Sequence, residues 1–392
     1  AYVYDLDAVL TRATRLRDAF AAIKGSVAYA VKANALHALL EPLAALGIGG
    51  EAGSIGELEA VRDAGFAAGR RWLNGNGRTR EEVEWVARNG VAAINADHVA
   101  ELDLIERVAA AQNTRIRVAL RINPGITAPV HRYISTGDDE AKFGVSPAEA
   151  LEAWANRARW PHLTVDGVHL HIGSQLMDPA PLLAAFEAGL ELIDVSARRG
   201  APLALFNLGG GFGIDYDGGG HEFPLESYAK RLGLRLQGRG LELVVEPGRW
   251  VVASAGVLVA EVLWVKRRGE RRFVVLAAGM NDLIRPALYQ ARHRIVPVRP
   301  REGELSPATV VGPVCESADV FAEDALLPPL EPGDLVAILD AGAYGAAMAS
   351  NYNGRGRLAE LVVSGGRLIR ARAGETPREL VERRTRDELP LG

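Results

Sequence analysis

The chain has 392 residues and a formal net charge of −4, with 48% hydrophobic and 24% charged residues. These are values of a globular protein, and the length predicts two domains or one large barrel with an addition. No run approaches the roughly 20 consecutive apolar residues that cross a bilayer. The arginines are spread along the chain, which argues against nucleic-acid binding and favours a small-molecule ligand.

The cysteine content and the first residues bear on the cellular compartment. Cys315 is the single cysteine, so an internal disulfide and a multi-cysteine zinc site are excluded, and we expect no metal site. The opening AYVYDLDAVL lacks the basic and apolar segments of a secretory signal. We therefore expect a cytoplasmic protein without a membrane partner.

Short apolar runs alternate with amphipathic stretches over the first two thirds of the chain. This alternation is typical of parallel strands joined by crossover helices. Eight runs predict a closed (β/α)8 barrel of the TIM type, with functional groups at the C-terminal ends of its strands. An open doubly wound sheet is the alternative. The runs are SVAYAV from Ser26, GIGGEA from Gly47, RWLNG from Arg71, VAAIN from Val91, RIRVALRI from Arg115, TVDGVHLHI from Thr164, LALFNLG from Leu203 and LELVVEPG from Leu241.

The pattern changes after about Ala255, where Val-rich stretches are punctuated by Pro and Gly. This change predicts a second, β-rich domain of Greek-key-like type. We expect a ligand-binding barrel over residues 22–255, and a β-rich domain formed by residues 256–392 together with residues 1–21. The isolated N-terminal strand AYVYD is compatible with either domain.

Lys32 closes the first predicted strand, within VAYAVKANA. Side chains alternate between the faces of a strand, so Lys32 shares a face with Ala28 and Ala30, over which a planar ligand would fit. An apolar setting disfavours the ammonium form, and a neutral amine can attack a carbonyl to give a Schiff base. The alternative is a lysine that merely extends into solvent.

Two histidines lie in GVHLHIGSQ, on one face of a predicted strand. An imidazole at His169 or His171 could stack on an aromatic ring, and Ser174 could bind a phosphate. A metal pair is disfavoured because a third ligand is lacking. Histidines that only satisfy the core are the alternative.

NLGGGFG follows another predicted strand, and its glycines expose backbone N–H groups that can surround an anion. A plain tight turn is the alternative, and the dinucleotide-binding fingerprint is not met.

VVEPGRW ends the eighth predicted strand with Glu246 and, after a Pro–Gly turn, Arg249. A carboxylate at a strand end can keep a pyridine nitrogen protonated, and a guanidinium can face a carboxylate or phosphate. A structural ion pair is the alternative. Lysine, imidazole, anion-binding turn and carboxylate together are what pyridoxal phosphate requires, so their joint occurrence predicts this cofactor.

Nearly the whole chain resembles the diaminopimelate decarboxylase family, among the pyridoxal-phosphate enzymes of the alanine-racemase-like fold type. The motifs that carry the resemblance, in family order, are YAVKAN, LNGNGRTREE, HRYISTG with KFG, HIGSQ, LGGGFGI, EPGR, GMNDLIRPALY, GPVCESAD, and LDAGAYG with MASNYN.

The resemblance implies a role for each of a set of residues. Lys32 would carry the cofactor, His171 would stack on its ring and Glu246 would face its ring nitrogen. Cys315 would be the proton donor, on a loop that completes the active site of the partner subunit in a homodimer. The implied catalytic residues are Lys32, His171 and Cys315. The implied cofactor-binding residues are Lys32, His171, Ser174, Gly210, Gly211, Glu246, Gly248, Arg249 and Tyr344. The implied substrate-binding residues are Arg249, Arg285, Tyr289, Glu316 and Tyr344.

The implied activity is the decarboxylation of meso-2,6-diaminopimelate to L-lysine and carbon dioxide, the last step of lysine biosynthesis. This substrate has an amino-acid group at each end, so two arginines suit its carboxylates and Glu316 suits its distal ammonium. A decarboxylase of ornithine, arginine or carboxynorspermidine is the alternative on the same fold. A racemase or a non-catalytic cofactor-binding protein is less favoured, the latter because GPVCESAD and LDAGAYG lie in the β-rich domain.

Three positions depart from the family pattern. Ala277 stands where an acidic residue is frequent, Glu51 stands where aspartate is common, and DDEAKFG differs upstream of Lys142.

Overall fold

The computed structural model describes residues 1–125 and 142–382, so the motif HRYISTG at 131–137 lies outside the described residues. The described strands are β1 (Tyr2–Asp5), β2 (Gly25–Ala30), β3 (Gly49–Ala52), β4 (Arg71–Leu73), β5 (Ala93–Ala96), β6 (Ile116–Ile122), β7 (Leu163–Leu170), β8 (Leu205–Asn207), β9 (Glu242–Val245), β10 (Gly256–Arg268), β11 (Arg271–Leu276), β12 (Ile295–Pro297), β13 (Ser306–Val311), β14 (Val320–Leu327), β15 (Leu335–Ile338), β16 (Glu360–Ser364) and β17 (Arg367–Arg372). The described helices are α1 (Leu6–Ala21), α2 (His37–Ala45), α3 (Ile55–Asp63), α4 (Arg80–Asn89), α5 (Val99–Ala111), α6 (Pro147–Ala155), α7 (Ala180–Arg198), α8 (Leu225–Leu236), α9 (Arg249–Val252), α10 (Arg285–Tyr289) and α11 (Pro377–Glu382).

Strands β2 to β9 form a closed parallel barrel in chain order, in which β9 pairs back to β2 with Val27 opposite Val245. Each of the eight predicted runs overlaps one of these strands. The barrel prediction is therefore confirmed over the described part of the chain, and the open sheet is excluded. Its interior includes a cluster of small and large apolar side chains, Ala28, Trp72, Ala93, Ala119, Leu205 and Val244.

Local sequence signals begin several of the crossover helices. At the start of α4, the Thr79 hydroxyl accepts from the Glu82 N–H at 3.2 Å, and the Glu82 carboxylate accepts from the Thr79 N–H at 2.8 Å. Ser146 and Glu149 form the same reciprocal pair at the start of α6. Such capping boxes satisfy backbone donors that have no partner within the helix. In the described ranges, no helix has both the length and the apolar character needed to cross a membrane.

The described residues divide into two units. The barrel unit contains residues from Ala8 to Asp215 and from Gly219 to Val251, and the strand-rich unit contains Ala1–Asp7, Tyr216–Gly218 and the described residues from Val252 onward. The sequence-based division puts residues 1–21 with the β-rich domain. In the structure, the first helix groups with the barrel from Ala8 onward. Its buried Phe20 stacks on Phe212 of the same unit, with ring centroids 6.3 Å apart. The predicted boundaries at residues 22 and 255 stay a prediction.

The strand-rich unit is built around β1. This strand pairs antiparallel with β10 and parallel with β16, so the N-terminal strand joins this unit. The longest path of paired strands runs β14-β13-β11-β10-β1-β16-β17, and β15 pairs with both β10 and β12. The prediction of a β-rich second domain is confirmed.

Candidate active site

Buried polar side chains gather at the C-terminal ends of the barrel strands. Glu51 lies in β3, His169 in β7, and Glu246 directly after β9, and all three side chains are almost completely buried. Lys32 follows β2. Polar groups in such a position form the functional face of a barrel of this type.

Lys32 lies on a single 3-10 turn, Val31–Ala33, and not on the strand itself, because β2 ends at Ala30. The turn is closed by the Asn34 N–H, which donates to the Val31 carbonyl at 3.0 Å. The Lys32 ammonium lies 3.4 Å from Glu51 Oε2, and its side chain is half exposed. Burial raises the pKa of Glu51 to about 7, against the opposing effect of Lys32.

Glu246 is surrounded by hydrogen-bond donors. Its carboxylate accepts from the side-chain amides of Asn207 at 2.7 Å, Asn74 at 2.9 Å and Asn95 at 3.2 Å. His169 Nε2 lies 3.3 Å from Glu246 Oε2. Burial by itself would raise the pKa of Glu246, but these neighbours and Lys32 outweigh burial and lower the pKa to about 2. The carboxylate is therefore a fixed negative charge inside the barrel.

His171 is half-buried, and its Nδ1 accepts from the Gly210 N–H at 3.2 Å. A backbone N–H can only donate, so the neutral imidazole carries its proton on Nε2. Burial lowers the pKa of His171 well below the ordinary range, and Lys32 and Arg121 lower it further. Lys32 lowers the pKa of both His171 and Glu246, so the three groups are coupled electrostatically.

Ser174 and Arg249 are joined by a hydrogen bond. Arg249 Nη2 donates to the Ser174 hydroxyl at 3.0 Å, and the arginine is 6% exposed. Arg249 thus faces the serine that the sequence predicts to bind phosphate.

The glycine turn after β8 has a shape that only glycine permits. Gly209 has φ +62°, and a Cβ on Gly210 would lie 2.3 Å from the Glu246 carbonyl oxygen. The turn therefore packs directly against the backbone of the residue that carries the buried carboxylate. Gly211 and Gly248 are similarly close, with a Cβ 2.6 Å from the Gly173 oxygen and 2.9 Å from Ala33 Cβ respectively.

The strand-rich unit carries the other predicted residues. Arg285 begins α10 and is 4% exposed, and its Nη1 donates to His293 Nε2 at 2.7 Å. His293 in turn donates from Nδ1 to the Leu339 carbonyl at 2.8 Å, because its Nε2 is the acceptor. The Arg285 guanidinium also lies 4.7 Å from the Tyr216 ring centroid. Tyr289, at the end of the same helix, is half-buried.

Cys315 and Glu316 lie on an exposed loop of this unit, where the Cys315 N–H donates to Asn353 Oδ1 at 2.8 Å. Tyr344 is half-buried and has φ +57°, a backbone conformation that non-glycine residues seldom adopt. Such strain is frequent at functional sites.

The structure thus brings Lys32, His171 and Glu246 together in the barrel, and the roles assigned to them stay predictions. Sequence reasoning missed the three asparagines that hold Glu246, although RWLNG, VAAIN and LALFNLG each carry an asparagine at or near the end of a predicted strand. It also missed His293, which lies eight residues beyond Arg285 in the chain.

The barrel residues fit pyridoxal phosphate. A primary amine, an imidazole with a depressed pKa, a fixed carboxylate and a glycine turn meet the needs of its aldehyde, ring, ring nitrogen and phosphate. The match rests on the chemical type of the group that the described residues supply for each of these four parts of the cofactor.

Comparison with known proteins identifies the family. The model of the pyridoxal-dependent decarboxylase pyridoxal-binding domain matches residues 6–253. A diaminopimelate decarboxylase from Neisseria meningitidis serogroup A is 42% identical over 391 residues, covering 99% of this chain and 94% of the relative. One from Helicobacter pylori is 41% identical over 365 residues, covering 92% and 89%.

Solved structures agree with these relatives. The Helicobacter pylori diaminopimelate decarboxylase complexed with L-lysine matches with a TM-score of 0.93 and 39% identity, covering 97% of this chain and 95% of that one. The resemblance inferred from the motifs and the expectation of a pyridoxal phosphate cofactor are thereby confirmed. The chain belongs to the pyridoxal-dependent decarboxylases and, within them, to the diaminopimelate decarboxylase family.

Proposed function

We propose that this chain decarboxylates meso-2,6-diaminopimelate to L-lysine and carbon dioxide. The observation that carries the proposal is the buried anion of Glu246, held by three asparagines close to Lys32 and His171. The two relatives described above, from Neisseria meningitidis and Helicobacter pylori, match nearly the full length and are diaminopimelate decarboxylases, and one solved relative is complexed with L-lysine.

Pyridoxal phosphate, when bound, supplies an electron sink for the electron pair left behind as carbon dioxide departs. Glu246 keeps its negative charge at neutral pH, because its pKa is about 2, and so holds a proton on a basic ring nitrogen placed against it. Lys32 Nζ provides the amine, and Glu51 Oε2, 3.4 Å away, is placed to exchange a proton with it. His171 presents a neutral imidazole.

The residues that we assign to the substrate carry complementary charges. Arg249 and Arg285 bind its carboxylates, Glu316 binds the distal ammonium, and Tyr289 and Tyr344 complete the contacts. Arg285 is held in place by His293, so its guanidinium is restricted before the substrate arrives. Two arginines favour a substrate with a second carboxylate over ornithine or arginine.

Cys315 is assigned as the proton donor to the product carbon. We also propose a homodimer in which the loop with Cys315 and Glu316 completes the partner's active site, supported by the exposure of this loop within the single chain. A cytoplasmic location agrees with a composition of one cysteine in 392 residues.

The test is a product assay on the cofactor-loaded protein with meso-diaminopimelate, L-ornithine, L-arginine and carboxynorspermidine in parallel. Carbon dioxide and L-lysine from diaminopimelate, at a kcat/KM at least about a hundredfold above the other substrates, are the expected result. Faster turnover of ornithine would overturn the proposal, and racemised substrate without carbon dioxide would indicate a racemase. Sedimentation of the loaded protein tests the dimer.

A further inference from the structure

Two loops of the strand-rich unit meet at the side chain of Asp319. The loop at residues 279–285 leads into Arg285, and the loop at residues 312–319 contains Cys315. Asp319 is 4% exposed; its Oδ1 accepts from the Met280 N–H at 2.6 Å, and its Oδ2 accepts from the Val314 N–H at 2.7 Å. One buried carboxylate therefore receives a backbone donor from each loop. Hydrogen bonds to a charged acceptor are the stronger kind.

Glycines allow both loops to approach this carboxylate. A Cβ on Gly312 would lie 2.3 Å from Asp319 Oδ2 and 2.5 Å from Gly279 Cα. A Cβ on Gly279 would lie 2.7 Å from Val314 Cγ2. A side chain at either glycine would force the loops apart, so the sequence of both loops is adapted to this contact.

A third segment connects the same two loops. Asn353 Oδ1 accepts from the Cys315 N–H at 2.8 Å, and the Ser350 N–H donates to the Asn281 carbonyl at 2.8 Å. These bonds involve the backbone of Cys315 and Asn281. Each of these residues directly follows one of the two residues, Val314 and Met280, whose N–H groups donate to Asp319. The spacing between the loops is thus fixed on two sides.

We propose that Asp319 is a positioning residue that sets the loop of Arg285 and the loop of Cys315 in one arrangement. It acts on substrate binding through Arg285 and on proton delivery through Cys315. This inference rests on the proposed function, which assigns those two roles.

The first test is Asp319→Asn, which keeps the size of the side chain but sets an amide N–H against one of the two backbone donors. We expect KM for diaminopimelate to rise and kcat to fall, each about tenfold, with the visible absorbance of the bound cofactor retained. The matched control is Asp282→Asn. Asp282 is 2% exposed and accepts from the Gly279 N–H at 3.0 Å, within its own loop. That variant raises KM and leaves kcat within about twofold.

A double-mutant cycle separates positioning from a general structural effect. In a Cys315→Ala background, Asp319→Asn no longer lowers kcat, and in an Arg285→Gln background it no longer raises KM. If instead the effects multiply in both backgrounds, Asp319 does not act through these residues and the proposal is overturned.

Hydrogen exchange provides a readout that needs no substrate. In the cofactor-loaded protein, Asp319→Asn accelerates amide exchange in peptides covering 279–285 and 312–319, whereas Asp282→Asn accelerates it only in the first. Unchanged exchange at 312–319 in Asp319→Asn overturns the proposal. If the parent protein fails to decarboxylate diaminopimelate, the proposed function fails, and exchange still decides whether Asp319 links the loops. Should Asp319→Asn not fold, Asp319→Ser is carried through the same comparisons.

Discussion

His169 Nε2 lies 3.3 Å from Glu246 Oε2, and the two residues are 2% and 5% exposed. Burial lowers the pKa of His169, while Glu246 opposes that effect. Three asparagine amides donate to the carboxylate, and the imidazole lies beside it. An unpaired carboxylate at this depth would become protonated, so these neighbours are what preserve its charge.

Glu246→Gln removes the charge and turns an amide N–H toward the asparagine amides. We expect kcat to fall about 10- to 100-fold, from the loss of hydrogen bonds to a charged group. Steady-state lysine formation at saturating cofactor measures this change. Glu242→Gln, at the start of the strand that precedes Glu246 and with a side chain 47% exposed, is the control and should stay within about twofold of the parent. Near-parental turnover of Glu246→Gln would remove the assigned role.

Lys32→Ala removes the amine of the barrel cluster. We expect the loss of both the visible cofactor absorbance and turnover, because no other described lysine lies beside Glu51. Absorption spectra with added pyridoxal phosphate test the first, and carbon dioxide release tests the second. Lys24→Ala, at an exposed position, serves as the control and should retain both. An unaltered spectrum in Lys32→Ala would contradict the assignment.

Glu51 makes stability depend on pH. Its pKa rises from 4.5 in the unfolded chain to about 7 in the folded protein, so the folded state binds the proton more tightly. The free energy of unfolding therefore falls as pH rises from 4.5 to 7. Relative to the parent, the free energy of unfolding of Glu51→Gln is higher by on the order of 1–3 kcal/mol above pH 7 and unchanged below pH 4.5. Urea denaturation of the cofactor-free proteins at pH 4.5 and pH 8 gives the answer; an equal difference at both pH values would refute the shift.

Cys315→Ala removes the assigned proton donor. Loss of a positioned general acid slows turnover about 100-fold or more, while cofactor absorbance is preserved because Lys32 is intact. The measurement is lysine formation per active site. Ser317→Ala, on the same exposed loop, is the comparison and should be nearly as active as the parent. Full activity of Cys315→Ala would mean that another group donates the proton.

Arg285→Gln replaces the guanidinium that donates to His293 with a shorter, uncharged amide side chain. We expect KM for diaminopimelate to rise about 10- to 100-fold, since a charged hydrogen bond to the substrate is lost. Initial rates over a range of diaminopimelate concentrations give KM. Arg292→Gln changes an arginine whose side chain is 85% exposed and should leave KM unchanged. If both variants behaved alike, Arg285 would not bind the substrate.

The barrel was predictable from the sequence because each of its strands is a short apolar run followed by an amphipathic stretch. The same runs also carried the important residues, Glu246 and the three asparagines, at or near their ends, yet only the carboxylate was interpreted. The side chain of an asparagine at a strand end is neither ionisable nor nucleophilic, so it does not by itself indicate a reaction. Its meaning depends on the buried anion that it faces from another strand.

Other features were beyond sequence reasoning for physical reasons. The 3-10 turn of Lys32 depends on a single backbone hydrogen bond, and alternation of side chains along a strand cannot predict it. The contacts of Asp319 join residues 39 positions apart, and those of His293 extend 46 positions to Leu339. Such pairings depend on tertiary packing, which leaves no periodic signal.

The central place of β1 has a consequence for protein synthesis. Its antiparallel partner β10 begins at Gly256 and its parallel partner β16 ends at Ser364, so the ribosome must translate most of the chain before this strand is paired on both sides. The barrel strands, by contrast, are all translated by Val245. A nascent chain can therefore complete the barrel strands while β1 still lacks both of its partner strands.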